Sequence, residues 1–492
     1  MALPLSLTAL ARLGETAAVP AYDPRSLRAG IVHFGVGNFH RAHQATYLDD
    51  LFNLGLDHDW ALIGAGVRES DKEMRARLQR QDWLTTVVEQ ETAETTARIT
   101  GPMVDFLKPG DSGATIARLA DPAIRIVSLT VTEGGYFIDP ATQRFDPAHP
   151  DILDDAAHAD APRTVFGLML AALRRRRASR VAPFAVMSCD NIPGNGRVTR
   201  QAVVDLARLN DAEMADWVAG NVAFPNGMVD RITPGTTDRE RSIVASDYGI
   251  EDQWPVFCER FRQWVLEDKF PAGRPALEKV GVQFVADVEP YERMKIRILN
   301  GGHATIAYAA ALLDVQFVHE AMANELVRAF LAKVERQEIL PAVPPVPGTD
   351  LGEYYKLIEG RFSNPKIGDT IARLCFDGSN RQPKFILPSV ADRLKSGLSV
   401  TGLALVSALW ARYCSGTTDS GKRVAPNDPN WARLTAKADV ARTNPQAWLE
   451  MRDIYGPLGD DPAYRQAFSS ALNSLWKLGT RPTLSRYLEG TL

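Results

Sequence analysis

Residues 295–303, KIRILNGGH, set a lysine, an asparagine and a histidine in one short apolar run, with two glycines between the last two. Ile296, Ile298 and Leu299 fill the gaps, with Arg297 among them, so the run predicts a buried helix whose polar members need a reason to be there. At about 100° per residue, Lys295 and His303 fall roughly 80° apart and Asn300 some 60° beyond the histidine, so all three share one side. They span about 12 Å along the axis, which the lysine stem helps to close. The phasing requires the helix to run through Gly301 and Gly302, each costing about 1 kcal/mol relative to alanine. Such a pair suits a place where a ligand or another backbone comes close. The chemistry open to this set is the acid–base part of a ketone to alcohol hydride transfer. Lysine is a base there only if its ordinary pKa of about 10.4 falls toward neutrality through burial or a nearby cation. Neutral carboxamides polarise the reacting oxygen without adding charge. Asn300 is one; Asn191, read as the end of the strand in SCDN, is the other, at the carboxyl edge of a sheet where α/β proteins bind ligands. Singly, each residue also reads as a surface lysine or a satisfied core polar group. Together in an apolar segment they point to a site.

The elements that must position these residues follow two textures. Residues 30–66 read as strand, helix, strand: GIVHFGVG, NFHRAHQATYLDDLFNLG, DWALIGAGV. Further strands are predicted in AIRIVSLTVT and APFAVMSCDN, with the helical stretch TVFGLMLAALRRRR between them. This alternation predicts an α/β, Rossmann-like N-terminal domain whose parallel sheet is covered on both faces. After about residue 285, apolar residues recur at helical spacing in ERMKIRILNGGHATIAYAAALLD, NELVRAFLAKVERQEIL and VTGLALVSALWARYC, so the C-terminal part is predicted to be mainly α-helical. A chain of 492 residues exceeds what one core usually serves. The expected domains are 1–284, dinucleotide-binding, and 285–492, substrate-binding.

The first strand runs into GVGNFHRAH, with Gly35 and Gly37 at the G-x-G positions of a dinucleotide turn and Phe39 placed with them on the cofactor side. His40 stands where a third glycine is usual. At the end of the second strand, GAGVRES places Glu69 to accept hydrogen bonds from the ribose hydroxyls of NAD, although farther from the glycines than the usual spacing of about 20 residues. Arg68 beside it would instead meet the 2′-phosphate of NADP, so NAD is expected with NADP use open. His40 and His43 are spaced to chelate a metal, but no acidic or cysteine partner sits nearby, and they read as packing or capping residues; no metal is expected. The arginines at 174–177 end an apolar helix and read as its solvated carboxyl terminus.

A net charge of −4 with 24% charged and 45% hydrophobic residues gives no pull toward nucleic acid or an anionic membrane. The expected partner is a small molecule. Four scattered cysteines without a CxxC pair argue against a zinc cluster or disulfide framework, and a cytoplasmic setting is expected. The N-terminal MALPLSLTALARLGE lacks a basic start and is broken by Arg12 and Glu15, so it does not read as a signal peptide.

Four stretches, SCDNIPGNG, FPNGMVDRITP, KIRILNGGHA and DGSNRQPKFILPS, together with GVGNFHRAHQ, resemble the polyol-specific long-chain dehydrogenase/reductase family over nearly the whole chain. The resemblance implies a metal-independent, NAD(P)-dependent oxidation of a secondary alcohol, expected here to interconvert D-mannitol and D-fructose. It implies Lys295 as general base, Asn191 and Asn300 as oxyanion donors, His303 as a ligand of a substrate hydroxyl, and Glu292 in proton passage between base and solvent. Asp230 and Arg373 would bind further hydroxyls of the polyol or ketose substrate, with Lys384 and Arg381 as less central candidates that also read as solvent-facing. The site is expected between the two domains, and the resemblance implies a monomer. The rivals are oxidation of D-arabinitol or sorbitol, reduction of fructuronate or tagaturonate, and, in another class, a redox-sensing NAD-binding protein.

Overall fold

The computed structural model describes residues 2–139 and 144–492, which form two compact units, Met1–Glu289 and Pro290–Leu492.

The first unit is built on five parallel strands: Ala29–Phe34, Ala61–Ala65, Met103–Phe106, Ile126–Leu129 and Ala185–Ser188. Numbered along the chain, their spatial order is 3-2-1-4-5. That is the order of a Rossmann sheet, and its direction of winding reverses between strands 1 and 4. Their β-branched and aliphatic residues divide by alternation between two cores. Val32, Phe34, Ile63, Ala65, Val127 and Leu129 belong to one, and Ile31, Leu62, Ile126 and Met187 to the other. The sheet is therefore apolar on both faces, as the near-continuous hydrophobic strands require.

The helix expected after the first strand is broken. It runs as Asn38–Ala42 and Gln44–Asn53, with His43 between them at φ −115°, ψ −86°. His40 and His43 therefore do not share one helical face. His40 stacks on His33 at 3.5 Å, and His43 stacks on Phe39 at 4.8 Å with Nε2 2.9 Å from the carbonyl of Gln263. Two three-stranded sheets are additions that alternation did not indicate. One pairs Thr85–Gln90 with Thr95–Thr100 and Val256–Glu259, and the other pairs Gln263–Glu267 with Gly227–Asp230 and Gln283–Val285. Each contains an antiparallel pair of short, part-polar strands.

Helix Val165–Ala178 carries the arginine run, and here the expectation of a solvated terminus fails at one position. Arg176 is buried, its guanidinium donating to the carbonyls of Leu119, Asp121, Ile124 and Ala182 at 2.5–2.9 Å. Only a guanidinium has enough donors to satisfy four carbonyls at once. The neighbours behave as expected, Arg174 meeting Asn210 and Arg177 the carboxylate of Glu213 at the surface.

The second unit is helical. Gly301–Leu312, Glu325–Val334, Leu351–Phe362, Thr401–Tyr413 and Pro462–Leu478 are its longer helices. The KIRILNGGH run is helical throughout but not α-helical throughout: Lys295–Asn300 form a π turn that passes into Gly301–Leu312. A π turn closes hydrogen bonds to the fifth residue. The constant 100° step therefore does not hold between the lysine and the asparagine. A second π turn, Glu335–Ile339, continues Glu325–Val334. Among the described residues no helix is long and apolar enough to cross a membrane.

Candidate active site

In the first unit, strands 1, 2 and 4 end around a cleft of about 390 Å³ lined by Gly35, Gly66, Arg68, Asp71, Thr130 and Thr132, among others. Ligands of doubly wound sheets bind at this reversal of strand order. Gly35 has φ +94°, and a β-carbon on it would stand 2.1 Å from the carbonyl oxygen of Thr130, so only glycine lets strands 1 and 4 close this turn. Gly37 lies outside the lining. It is the N-cap of Asn38–Ala42, and its amide donates to the Gly35 carbonyl at 2.7 Å. Phe39 packs on His43. Glu69 is exposed at the start of helix Glu69–Gln79 and pairs with Lys72 at 2.7 Å, whereas Arg68 and Asp71 face the cleft. Asp71 accepts the Arg68 amide at 2.8 Å and fills the space that a side chain on Gly66 would need. Gly66 and Asp71 were legible only as the glycine and the N3 acid of GAGVRESD, a capping signal rather than a binding one.

SCDNIPGNG and FPNGMVD meet through Asn195. Its side chain is fully buried, donating to the carbonyls of Ser188, Asp190 and Gly227 and accepting the Gly227 amide at 2.9 Å. The strand stops at Ser188, so Asn191 stands in the loop beyond it and is exposed, not the strand end that SCDN suggested. Asp190 is the residue that this motif concealed. Its carboxylate accepts the amides of Val131 and Thr132 at 3.0 and 2.9 Å and the Tyr136 hydroxyl at 2.7 Å, pinning the wall of the cleft. Asp230 ends Gly227–Asp230, buried and in register with Gln263.

The second unit brings Glu292, Lys295, Asn300 and His303 onto one rod. Lys295 and Glu292 are 6% and 8% exposed, low for groups that favour water. Oδ1 of Asn300 and Nε2 of His303 are buried without a hydrogen-bond partner, as polar atoms at a functional site can be. The His303 ring lies against Phe362, centroids 4.1 Å apart and planes 15° apart. Burial holds its pKa well below the usual imidazole value, and the cations Arg373, Arg361 and Arg381 reinforce this. The ring is therefore neutral. The glycines admit neighbours rather than bends: a β-carbon on Gly301 would sit 3.4 Å from the Phe385 carbonyl, and one on Gly302 3.0 Å from Oε1 of Glu335.

Arg373, in Ile371–Cys375, is half exposed and held bidentately by Asp369 at 2.6 and 2.5 Å. Arg381 donates to the carbonyls of Arg373 and Leu374, and Lys384 is exposed. Phe362 and Glu335 had no sequence signal, since each reads as one more position on a helix.

The chain matches the model of the mannitol dehydrogenase Rossmann domain over residues 29–279 and that of the mannitol dehydrogenase C-terminal domain over residues 287–476. The chain belongs to the mannitol dehydrogenase family. With the family comes the enzyme class, an oxidoreductase acting on secondary alcohols through a Rossmann domain. A mannitol 2-dehydrogenase of Cereibacter sphaeroides is 60% identical over 95% of this chain and 98% of its own. One from Aspergillus fumigatus is 40% identical over 97% and 96%. Among solved structures, the Pseudomonas fluorescens mannitol 2-dehydrogenase in ternary complex with NAD and D-mannitol superposes with TM-score 0.88 at 43% identity, covering 99% of this chain and all of that one. A D-sorbitol dehydrogenase in substrate-free form superposes with TM-score 0.90 at 32% identity, covering 98% and all.

Proposed function

We propose that the chain oxidises D-mannitol to D-fructose with NAD and runs the reverse reduction, with Lys295 as the base and no metal required. The observation that carries the reading is the rod itself. A buried amine stands on a π turn, followed by Asn300 Oδ1 and His303 Nε2, buried and unpartnered. The relative crystallised with NAD and D-mannitol supports the choice of cofactor and polyol.

The cleft residues fit NAD. Gly35 exposes backbone where a pyrophosphate would approach, and the lining continues past the end of strand 2 to Arg68 and Asp71. When bound, NAD supplies the hydride acceptor. Arg68 on the lining leaves NADP use open, so NADPH belongs in the assay beside NADH.

This chain's residues then have separate duties. As the base, buried Lys295 takes the carbinol proton, and buried Glu292 one turn earlier passes it toward solvent. The carboxamide N–H groups of Asn191 and Asn300 hold the oxygen as it turns from hydroxyl to carbonyl, stabilising developing charge without adding their own. Neutral His303 has one donor and one acceptor nitrogen for a substrate hydroxyl. Asp230 and Arg373 answer the remaining hydroxyls, while exposed Lys384 has no part in the reading.

The bidentate pair with Asp369 favours a neutral polyol over a hexuronate. A sugar carboxylate needs an uncommitted cation, and Arg373 already faces a carboxylate. Sorbitol is the second reading, favoured by the likeness to a D-sorbitol dehydrogenase.

Initial rates on mannitol, arabinitol, sorbitol and fructuronate separate these substrates. Lys295→Met is expected to bind NADH as the parent does while losing at least about a thousandfold in kcat, the scale of losing a general base together with its positioning. Unchanged turnover by that variant removes the assigned base, and loss of activity on EDTA dialysis with recovery on adding metal removes the metal-independent mechanism.

A further inference from the structure

His33 is the penultimate residue of strand 1, on the face opposite Val32 and Phe34, and is fully buried. Burial drives its imidazole down to about 3, so the ring is neutral and offers one donor and one acceptor nitrogen. Both nitrogens are engaged. Nδ1 lies 2.8 Å from Oγ of Ser128, and Nε2 lies 2.8 Å from Oγ1 of Thr130. The Thr130 hydroxyl donates to the carbonyl of Gly35 at 2.6 Å. With its proton so placed, the threonine oxygen accepts from Nε2–H, which leaves Nδ1 to accept from Ser128. The serine proton has two takers, Nδ1 at 2.8 Å and Oε1 of Gln44 at 3.1 Å, and the shorter contact completes the chain. His40, stacked on His33 with planes 12° apart, holds the ring from its face.

The ends of this chain matter because of where they fall. Gly35 and Thr130 are the first residues past strands 1 and 4, the two strands between which the sheet reverses, and both line the cofactor cleft. The last ladder pair, Phe34 with Leu129, stops short of them. Beyond it one backbone bond, from the Thr130 amide to the Phe34 carbonyl at 2.9 Å, still joins the two strand ends, and the Gly35 carbonyl is tied across to strand 4 by side chains, the Thr130 hydroxyl and Nε2 of His33 at 3.2 Å.

We propose that His33 is a positioning residue for the dinucleotide turn: with Ser128 and Thr130 it locks the Gly35 carbonyl and so presets the cleft edge against which a dinucleotide pyrophosphate docks. The proposal rests on the reading of this cleft as the NAD site. A turn held in one arrangement before binding loses less conformational freedom when the ligand arrives. The network therefore acts on dinucleotide affinity and leaves the chemical step alone.

Ser128→Ala is the discriminating variant, because Ser128 lies on the far side of His33 from the cleft and is not part of its lining. It leaves Nδ1 buried without a donor. The dissociation constant of NADH, read by quenching of protein fluorescence, is expected to rise about five- to tenfold, the scale of one lost buried hydrogen bond. The KM for NAD should follow, with kcat at saturating NAD and the KM for mannitol unmoved. If Ser128→Ala does not fold, Thr130→Val and Thr130→Ser replace it: valine should weaken NADH binding and serine, which keeps the hydroxyl, should restore it. A folded Ser128→Ala with parental NADH affinity overturns the proposal, as does a loss confined to kcat. Parental protein that binds neither NADH nor NADPH overturns both this and the cofactor reading, whereas NADH binding without turnover on any polyol overturns only the substrate reading.

Discussion

The imidazole of His303 rests flat on the ring of Phe362, with centroids 4.1 Å and planes 15° apart. The two residues come from different helices, Gly301–Leu312 and Leu351–Phe362, and the stack determines where the polar edge of the imidazole can face. Offset aromatic stacking contributes about 0.5–1.5 kcal/mol beyond buried area, enough to select one ring orientation over its neighbours.

Phe362→Leu keeps an apolar wall but removes the flat one. The KM for mannitol is expected to rise and kcat to fall, each roughly tenfold, within the range that small misplacements of a positioned group produce. NADH affinity should not change. Steady-state kinetics beside fluorescence titration checks this, and a variant altered only in thermal stability would show that the stack does not orient the histidine.

Glu335 gives a prediction about pH. It is fully buried, neither carboxyl oxygen has a hydrogen-bond partner, and Oε1 occupies the space that glycine at 302 leaves open. Burial, with a smaller contribution from Glu359, raises its pKa well above 4.5. Between 4.5 and that raised value the folded protein holds a proton that the unfolded chain has released, so stability falls as pH rises through this window. Glu335→Gln keeps the shape and removes the proton. Its melting temperature relative to the parent should therefore increase from pH 5 to pH 8. A difference that stays constant across that range would mean the carboxyl does not titrate in this way.

The two glycines of the turn should separate on substitution. Gly35→Ala meets both a positive φ and a carbonyl 2.1 Å away, so the cleft wall must shift. It is expected to lower the melting temperature and weaken NADH binding by at least about tenfold, in line with the cost of forcing a side chain into a strained backbone region. Gly37→Ala has φ −92° and no atom nearer than 3.9 Å. It should melt with the parent, so any loss of NADH affinity there reports a close approach by the cofactor itself.

Much of this protein was readable from residue order. Alternating β-branched residues and the G-x-G turn gave away a parallel sheet with a cofactor edge, and the apolar spacing of KIRILNGGH gave away a buried helix carrying a lysine, an asparagine and a histidine. Those features depend on neighbours within a strand or two helical turns, where periodicity is itself the physical cause. Other features depend on groups far apart in the chain. Arg176 is buried because four carbonyls from other segments converge on it. Asp71, and not Glu69, faces the cleft because a helix cap turns it over Gly66. Lys295 sits on a π turn, and His303 has its orientation from Phe362, 59 residues away. A hydrogen bond or a ring stack is a distance between two atoms, and no local spacing encodes that distance until packing has brought the segments together.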